Sequence, residues 1–185
     1  MRRAISNDNL ITTIRDQRRE LGHDVYLSLG CNLGLCSNNL QKAIRSITES
    51  KGLRLIKSSA VYRTEPQDRR RQPWFFNQVV LLEVGKFWTP WSLLRHLRDI
   101  EKTMGRCRNT AKGPRLIDLD ILIFGKLILN SNDIKIPHSS MKKRAFVLVP
   151  MKEIDPEYHF PEGESLQHVL EQLDYRVEGD RIYQP

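Results

Sequence analysis

An α+β sandwich, ferredoxin-like in plan, is the fold class that the sequence predicts. Three observations predict it. Apolar runs with alternation recur at Val25–Leu29, Leu53–Lys57, Phe75–Val84 and Leu116–Phe124. Two segments between them carry apolar residues at helical spacing. The order therefore reads β-α-β-β-α-β, the split βαβ pattern with helices on one face of an antiparallel sheet.

Each element has its own warrant. Val25–Leu29 is a short alternating strand, and Gly30-Cys31-Asn32-Leu33-Gly34 is the turn that ends it. Ser37 or Asn38 is the expected cap of the first helix, where Leu40, Ala43, Ile44 and Ile47 share a face and Gly52 lies beyond the end. Leu53–Lys57 continues through Val61–Tyr62 as a second strand bent at Ser58-Ser59. Glu65–Pro73 is a polar loop containing Arg69-Arg70-Arg71, and Phe75–Val84 is the third strand.

The second helix is the best punctuated. Thr89 is its N-cap, Pro90 its first residue and Gly105 its stop, with Leu93, Leu94, Leu97, Ile100 and Met104 as one core stripe. Leu116–Phe124 is the fourth strand. A turn at Gly125, the run Leu127–Leu129, Pro137-His138 and the apolar run Ala145–Val149 extend this pattern, and Ser165–Leu173 reads as a last helix.

The chain has 185 residues, 39% hydrophobic and 28% charged, a composition suited to one globular domain with a real core. No stretch reaches the ~18 apolar residues of a spanning helix. Thirty Lys and Arg against 22 Asp and Glu leave a net charge of +8. That excess fits either a nucleic acid or a small polyanion as partner. Residues 1–23 stand apart: Arg2, Arg3, Arg15, Arg18 and Arg19 outnumber Asp8, Asp16 and Glu20, with no apolar leader core. A flexible arm, or a translation start placed too early, is the expectation, with a docked amphipathic helix using Leu10, Ile14 and Leu21 as the alternative. Residues 24–185 then form a single domain. Cys31, Cys36 and Cys107 are odd in number and lack a C-x-x-C pair, so free thiols in a reducing compartment, the cytoplasm, are expected.

The fourth strand carries the sharpest chemical signal, Asp118-Leu119-Asp120. Alternation puts Asp118 and Asp120 on one face with Leu116, Leu122 and Phe124, and leaves Ile117, Leu119, Ile121 and Ile123 to meet the helices. Two acids on one strand face repel each other, and a cation between them removes the conflict. Carboxylates about 6–7 Å apart along a strand suit a pair of magnesium ions bridged by phosphates. Arg106, Arg108, Lys112 and Arg115 precede the aspartates; His138, Lys142, Lys143 and Arg144 follow. Arginine is the residue for bidentate phosphate contacts, so the grouping points to phosphoryl transfer. Neither a P-loop nor a dinucleotide fingerprint is present.

These residues resemble those of the 6-hydroxymethyl-7,8-dihydropterin pyrophosphokinase (HPPK) family. The resemblance runs from about Val25 to about Glu162. Its most specific segment is Gly113-Pro114-Arg115-Leu116-Ile117-Asp118-Leu119-Asp120-Ile121-Leu122, and Gly105-Arg106-Cys107-Arg108 is similar to the family's G-R-x-R. Tyr62-Arg63-Thr64-Glu65-Pro66, Phe75-Phe76-Asn77, Pro137-His138 and Arg144–Pro150 extend the likeness.

The resemblance implies a transferase of folate biosynthesis, moving pyrophosphate from ATP to the pterin hydroxymethyl group and leaving AMP. It implies Asp118 and Asp120 as ligands of two Mg²⁺ ions, Arg106 and Arg115 facing the phosphates, and Arg108 and Arg144 as arginines of the mobile catalytic loop and the nucleotide pocket. Arg106, Arg108, Arg115, Asp118 and Asp120 are the implied catalytic set. For ATP it implies Arg98, Glu101, Arg106, Arg115, Ile121, Ile134, Lys135, His138, Ser139 and Arg144. For the pterin it implies Gly30, Thr64, Glu65, Gln67, Phe75, Asn77, Asp118 and Phe146. Small molecules are the implied partners, with no nucleic acid, membrane or obligate protein.

Asn77 offers donor and acceptor in one amide, which suits a polar heterocycle held between aromatic faces. Phe75 faces away from Phe76, and its sharing a side with Asn77 is expected only with a local twist or a strand beginning at Asn77. Departures from the family pattern bear on loop closure and not on the chemical centre. Cys31 stands where serine is usual and is small enough to be tolerated, and Lys112 stands where many members carry tryptophan. The loop Asn109–Lys112 is one residue shorter than in some members, Glu65 and Gln67 replace apolar residues commoner in some, and Arg69–Arg71 make the polar loop basic. The competing reading, an RNA-recognition module, lacks the aromatic strand pattern it requires. A degenerate, inactive homologue is the third option, and the retained Asp pair and arginines argue against it.

Overall fold

The computed structural model describes residues 22–67, 71–106 and 113–185. Its elements run β1 (Gly22–Cys31), α1 (Cys36–Thr48), β2 (Leu53–Ser58), β3 (Tyr62–Thr64), β4 (Phe75–Gly85), α2 (Pro90–Thr103), β5 (Asp118–Phe124), β6 (Leu129–Asn130), β7 (Lys135–Ile136), α3 (Ala145–Ile154), α4 (Leu166–Glu171), β8 (Arg176–Glu178) and β9 (Arg181–Tyr183). The main sheet has the order β5-β1-β4-β3-β9-β8, with β2 also paired to β4. Pairing of β1 with β4 and β5, and of β4 with β2 and β3, is antiparallel, whereas β3 and β9 run parallel. No helix among the described residues is long and apolar enough to cross a membrane.

Two cores lie on opposite faces of the sheet. One joins Leu27, Leu29 and Leu82 to Leu40 and Ile47 of α1 and Leu93 and Leu97 of α2. The other joins Tyr26, Val79 and Leu81 to Leu148 and Met151 of α3 and Val169 and Leu170 of α4. Helices thus cover both faces, not one as expected. The run Ala145–Val149, expected to extend the strand pattern, is the start of α3. Its residues are buried on most sides, so it lacks the polar stripe that announces a surface helix.

Other expectations are corrected by local chemistry. The cap of α1 is Leu35, which makes no side-chain cap bond, in place of Ser37 or Asn38. The bent second strand is split into β2 and β3, with Ser59 between them bonded to Val79 in both directions: Ser59 N–H to Val79 O at 2.9 Å, and Val79 N–H to Ser59 Oγ at 3.1 Å. β1 begins at Gly22, so Gly22 and His23 belong to the sheet and not to the arm. Residues 1–21 lie outside the described residues. Cys31 and Cys36 form a disulfide with Cα atoms 5.4 Å apart, correcting the expectation of free thiols for these two, while Cys107 lies outside the described residues. The first sits at the end of β1 and the second opens α1, so the turn between them brings the two sulfurs together.

The faces of β5 also differ from simple alternation. The β1–β5 register shifts between Tyr26 and Leu27, where Ile123 and Ile121 are the successive partners. Leu122 is the extra residue of this bulge, and a bulge reverses which side later residues face. Ile117, Leu119 and Ile121 therefore meet α1 and α2 as expected, but Phe124 joins them while Ile123 turns to the α3 side. The Leu122 carbonyl accepts the His138 N–H at 2.8 Å. The irregularity thus fixes the backbone of a predicted site residue.

Candidate active site

The sheet face next to α3 is open at one end, where β1, β4 and β5 carry a transverse row of small and polar residues. Gly30 lies between Asn77 of β4 and Asp118 of β5, and Ser28 lies between Val79 and Asp120. Gly30 keeps this row open: a Cβ there would stand 3.1 Å from Asn77 Oδ1 and 3.8 Å from Asp118 Cβ. Asn77 is buried, and its Nδ2 donates to Thr64 Oγ1 at 2.7 Å.

Glu101 connects this row to α2. It is 2% exposed, and its Oε1 accepts the Leu119 N–H at 2.8 Å, joining the helix to β5 between the two aspartates. At Gly105, φ is +86°, and the reversed chain returns the Arg106 N–H to the Glu101 carbonyl at 2.9 Å. The Arg106 guanidinium pairs with both the Glu101 carboxylate and Asp118, the latter at 2.5 Å. Arg115 reaches Asp118 from the other oxygen at 2.8 Å and lies over the Phe75 ring, 5.1 Å from its centroid. The Arg115 Nε is buried without a hydrogen-bond partner among the described residues.

Asp120 carries a perturbed carboxyl group. Burial, then the Asp118 charge, raise its affinity for a proton, against the pull of His138, Arg144 and Arg106. Burial lowers the basicity of His138, with the Arg144 charge adding to it and Asp120 and Asp118 opposing. The backbone N–H of Ser140 donates to His138 Nδ1 at 3.3 Å. Among the described residues no group of three or more His, Cys, Asp or Glu gathers as a complete metal cage.

Two cavities meet at this cluster. The larger, about 560 Å³, is lined by Arg98, Glu101, Ile121, Ile134, Lys135 and Ser139. The smaller, about 300 Å³, is lined by Gly30, Thr64, Glu65, Gln67, Phe75, Asn77, Arg144 and Phe146. Arg106, Arg115, Asp118, Asp120 and His138 border both. Every described residue of the predicted site thus borders one cavity or both. Arg144, expected on the nucleotide side, borders the smaller one and packs on Phe146, 5.5 Å from the ring centroid. Phe75 and Asn77 share a cavity without a special twist, because residues two apart on a strand share a face. Arg108 and Lys112 lie outside the described residues.

The sequence reading missed several wall residues. Ser28 was detectable, two residues before Gly30 on the same strand face. Gln72 had no local signal. It reaches the site through Asn32, whose Nδ2 donates to Gln72 Oε1 at 3.1 Å and whose Oδ1 accepts the Arg115 N–H at 2.8 Å.

A family profile described as 7,8-dihydro-6-hydroxymethylpterin-pyrophosphokinase (HPPK) matches residues 26–156. The chain belongs to this family. Among HPPK relatives, the 2-amino-4-hydroxy-6-hydroxymethyldihydropteridine pyrophosphokinase of Pseudomonas aeruginosa is 37% identical over 79% of this chain and 89% of its own. The folic acid synthesis protein fol1 of Schizosaccharomyces pombe is 36% identical over 85% of this chain, which spans only 21% of that protein. A wild-type HPPK-DHPS structure from Plasmodium falciparum superposes with a TM-score of 0.63 at 14% identity, covering 87% of this chain and 50% of that one. The HPPK match includes every residue of the two-cavity cluster and ends just beyond α3, leaving α4, β8 and β9 outside it.

Proposed function

We propose that the chain catalyses the family reaction: pyrophosphate passes from ATP to 6-hydroxymethyl-7,8-dihydropterin, giving AMP and the pterin diphosphate for folate biosynthesis. The observation that carries this reading is the cluster of Asp118, Asp120, Arg106, Arg115 and His138 on the wall between two cavities. We assign ATP to the larger cavity and the pterin to the smaller. The phosphates then lie at the junction, where transfer has to occur. We also read the βαββαβ core, in the order β5-β1-β4-β2, as ferredoxin-like, and residues 24–185 as one catalytic domain.

The residues fit a divalent metal. Asp118 and Asp120 supply two carboxylates on one strand face, and Asp120 is costly to ionise beside Asp118 without a cation. Asp118 and Asp120 would hold the ion, and a pair of carboxylates suits Mg²⁺, which is commonly bound by one or two of them. Held by Asp118 and Asp120, Mg²⁺ would supply positive charge against the phosphates.

The protein groups then have separate tasks. The pterin hydroxyl oxygen attacks the β-phosphorus and loses its proton, while the bond to the α-phosphate oxygen breaks and AMP leaves with the electron pair. Arg106 and Arg115 face the charge that shifts in this exchange, and the buried Arg115 Nε is a donor available to an oxygen acceptor. Glu101 holds Arg106 in place, and Asn77 with Phe75 and Phe146 orients the heterocycle. Positioning and charge neutralisation carry the catalysis, and no side-chain nucleophile is invoked.

The test is AMP release from ATP with and without hydroxymethyldihydropterin and Mg²⁺. Release is expected only with all three present. Asp118→Asn or Asp120→Asn is expected to lower kcat/KM by about a thousandfold or more, roughly 4 kcal/mol of transition-state stabilisation. Turnover close to that of the unchanged protein in either variant would refute the assignment.

A further inference from the structure

We propose that Gln184 is a positioning residue for the smaller cavity, tying its Gln67 rim to the first turn of α3. The inference rests on reading that cavity as the pterin site. Gln184 lies outside the region matched to the family and does not line the cavity itself.

The last described strand delivers Gln184 to this place. β9 runs parallel to β3, with Arg63 opposite Arg181 and Thr64 opposite Ile182. Ile182 is 1% exposed and anchors the strand. Arg63 holds Asp180 through two bonds of 2.8 Å and adds its backbone N–H to the Asp180 carbonyl at 2.7 Å. Tyr183 meets Trp74, the neighbour of Phe75, edge-on at 5.6 Å. The segment is thus fixed before Gln184 makes any contact of its own.

One side-chain amide then makes three bonds. Gln184 Oε1 accepts from Gln67 Nε2 at 2.8 Å and from the Ala145 N–H at 2.8 Å, and its Nε2 donates to the Lys143 carbonyl at 2.9 Å. Ala145 lies between Arg144 and Phe146, both in the cavity wall. The Arg144 side chain provides no cap for α3. A first-turn N–H needs an acceptor from elsewhere, and Gln184 supplies one. A side-chain amide can accept twice on its oxygen and donate from its nitrogen, as here. The contact therefore joins the loop after β3 to the helix that presents Phe146.

Steady-state kinetics and amide hydrogen exchange on the full chain test this. Gln184→Leu is expected to raise the KM for hydroxymethyldihydropterin about three- to tenfold, as loss of one or two hydrogen bonds implies. The KM for ATP stays within twofold, Tm is maintained, and Ala145 exchanges faster. Gln184→Glu keeps both accepting bonds but sets a carboxylate oxygen against the Lys143 carbonyl, and is expected to recover part of the pterin affinity. Unchanged pterin KM and Ala145 exchange would overturn the proposal. So would an equal rise in both KM values with a lower Tm, which marks a purely structural role. If the unchanged protein releases no pterin-dependent AMP, the functional reading fails, and Ala145 exchange still tests the tie.

Discussion

At the scale of single residues, the row Asn77–Gly30–Asp118 has little spare room. A methyl group on Gly30 would press on Asn77 Oδ1 at 3.1 Å, and the other end of that amide is held by Thr64. The amide cannot turn aside without breaking a buried hydrogen bond. Gly30→Ala is therefore expected to raise the pterin KM about tenfold, the equivalent of roughly 1.4 kcal/mol, while the ATP KM stays within twofold. Initial-rate measurements with each substrate varied separately check this. Strand alternation alone put Asp118 and Asp120 on a common face, because both precede the bulge. The link from Asn32 to Gln72 and Arg115 joins three separate segments, and no local pattern encodes it.

At the scale of elements, α2 is the support for the charged cluster. Its N-terminus carries a capping box: Thr89 accepts from the Ser92 N–H at 3.1 Å and Ser92 Oγ accepts from the Thr89 N–H at 2.9 Å. Thr89→Ala is expected to cost about 1 kcal/mol, lowering Tm by roughly 2–4 °C in a chain of this size. Calorimetry or thermal circular dichroism measures it. Glu101 lies at the opposite end of α2, so kcat is expected to change little at temperatures where the fold is intact. This helix was legible because its cap, first proline, apolar stripe and final glycine all agree. α3 was not, because a helix buried against both the sheet and α4 shows no polar face, and its valines fit a strand equally well. The C-terminal hairpin of β8 and β9 gave no signal either. Its strands have three residues each, and its parallel partner β3 lies over a hundred residues earlier.

For the whole molecule, the second core joins distant parts of the chain through a half-buried polar contact. Tyr26 of β1 donates its hydroxyl to Asp155, just past α3, at 2.5 Å. Burial raises the Tyr26 pKa far above its ordinary value, and the bond to Asp155 and that carboxylate's charge add to the effect. The folded state thus keeps a proton that the unfolded chain releases near pH 10. The contribution is complete below that pH and declines as pH rises further. Urea unfolding at a series of pH values is expected to show this alkaline loss. In Tyr26→Phe the loss is shallower, and stability at neutral pH is lower by about 1 kcal/mol.

The strand order has a kinetic consequence. β1 pairs with β4 on one side and β5 on the other, so residues 30, 77 and 118 become neighbours only through contacts distant in sequence. Such contacts form after the chain has lost most of its closure entropy, and folds built on them form slowly. Neither cavity has its walls until β5 docks. A substrate present during refolding has no site to occupy before that step. It holds the finished fold together and slows its unraveling, but leaves the rate of its formation unchanged.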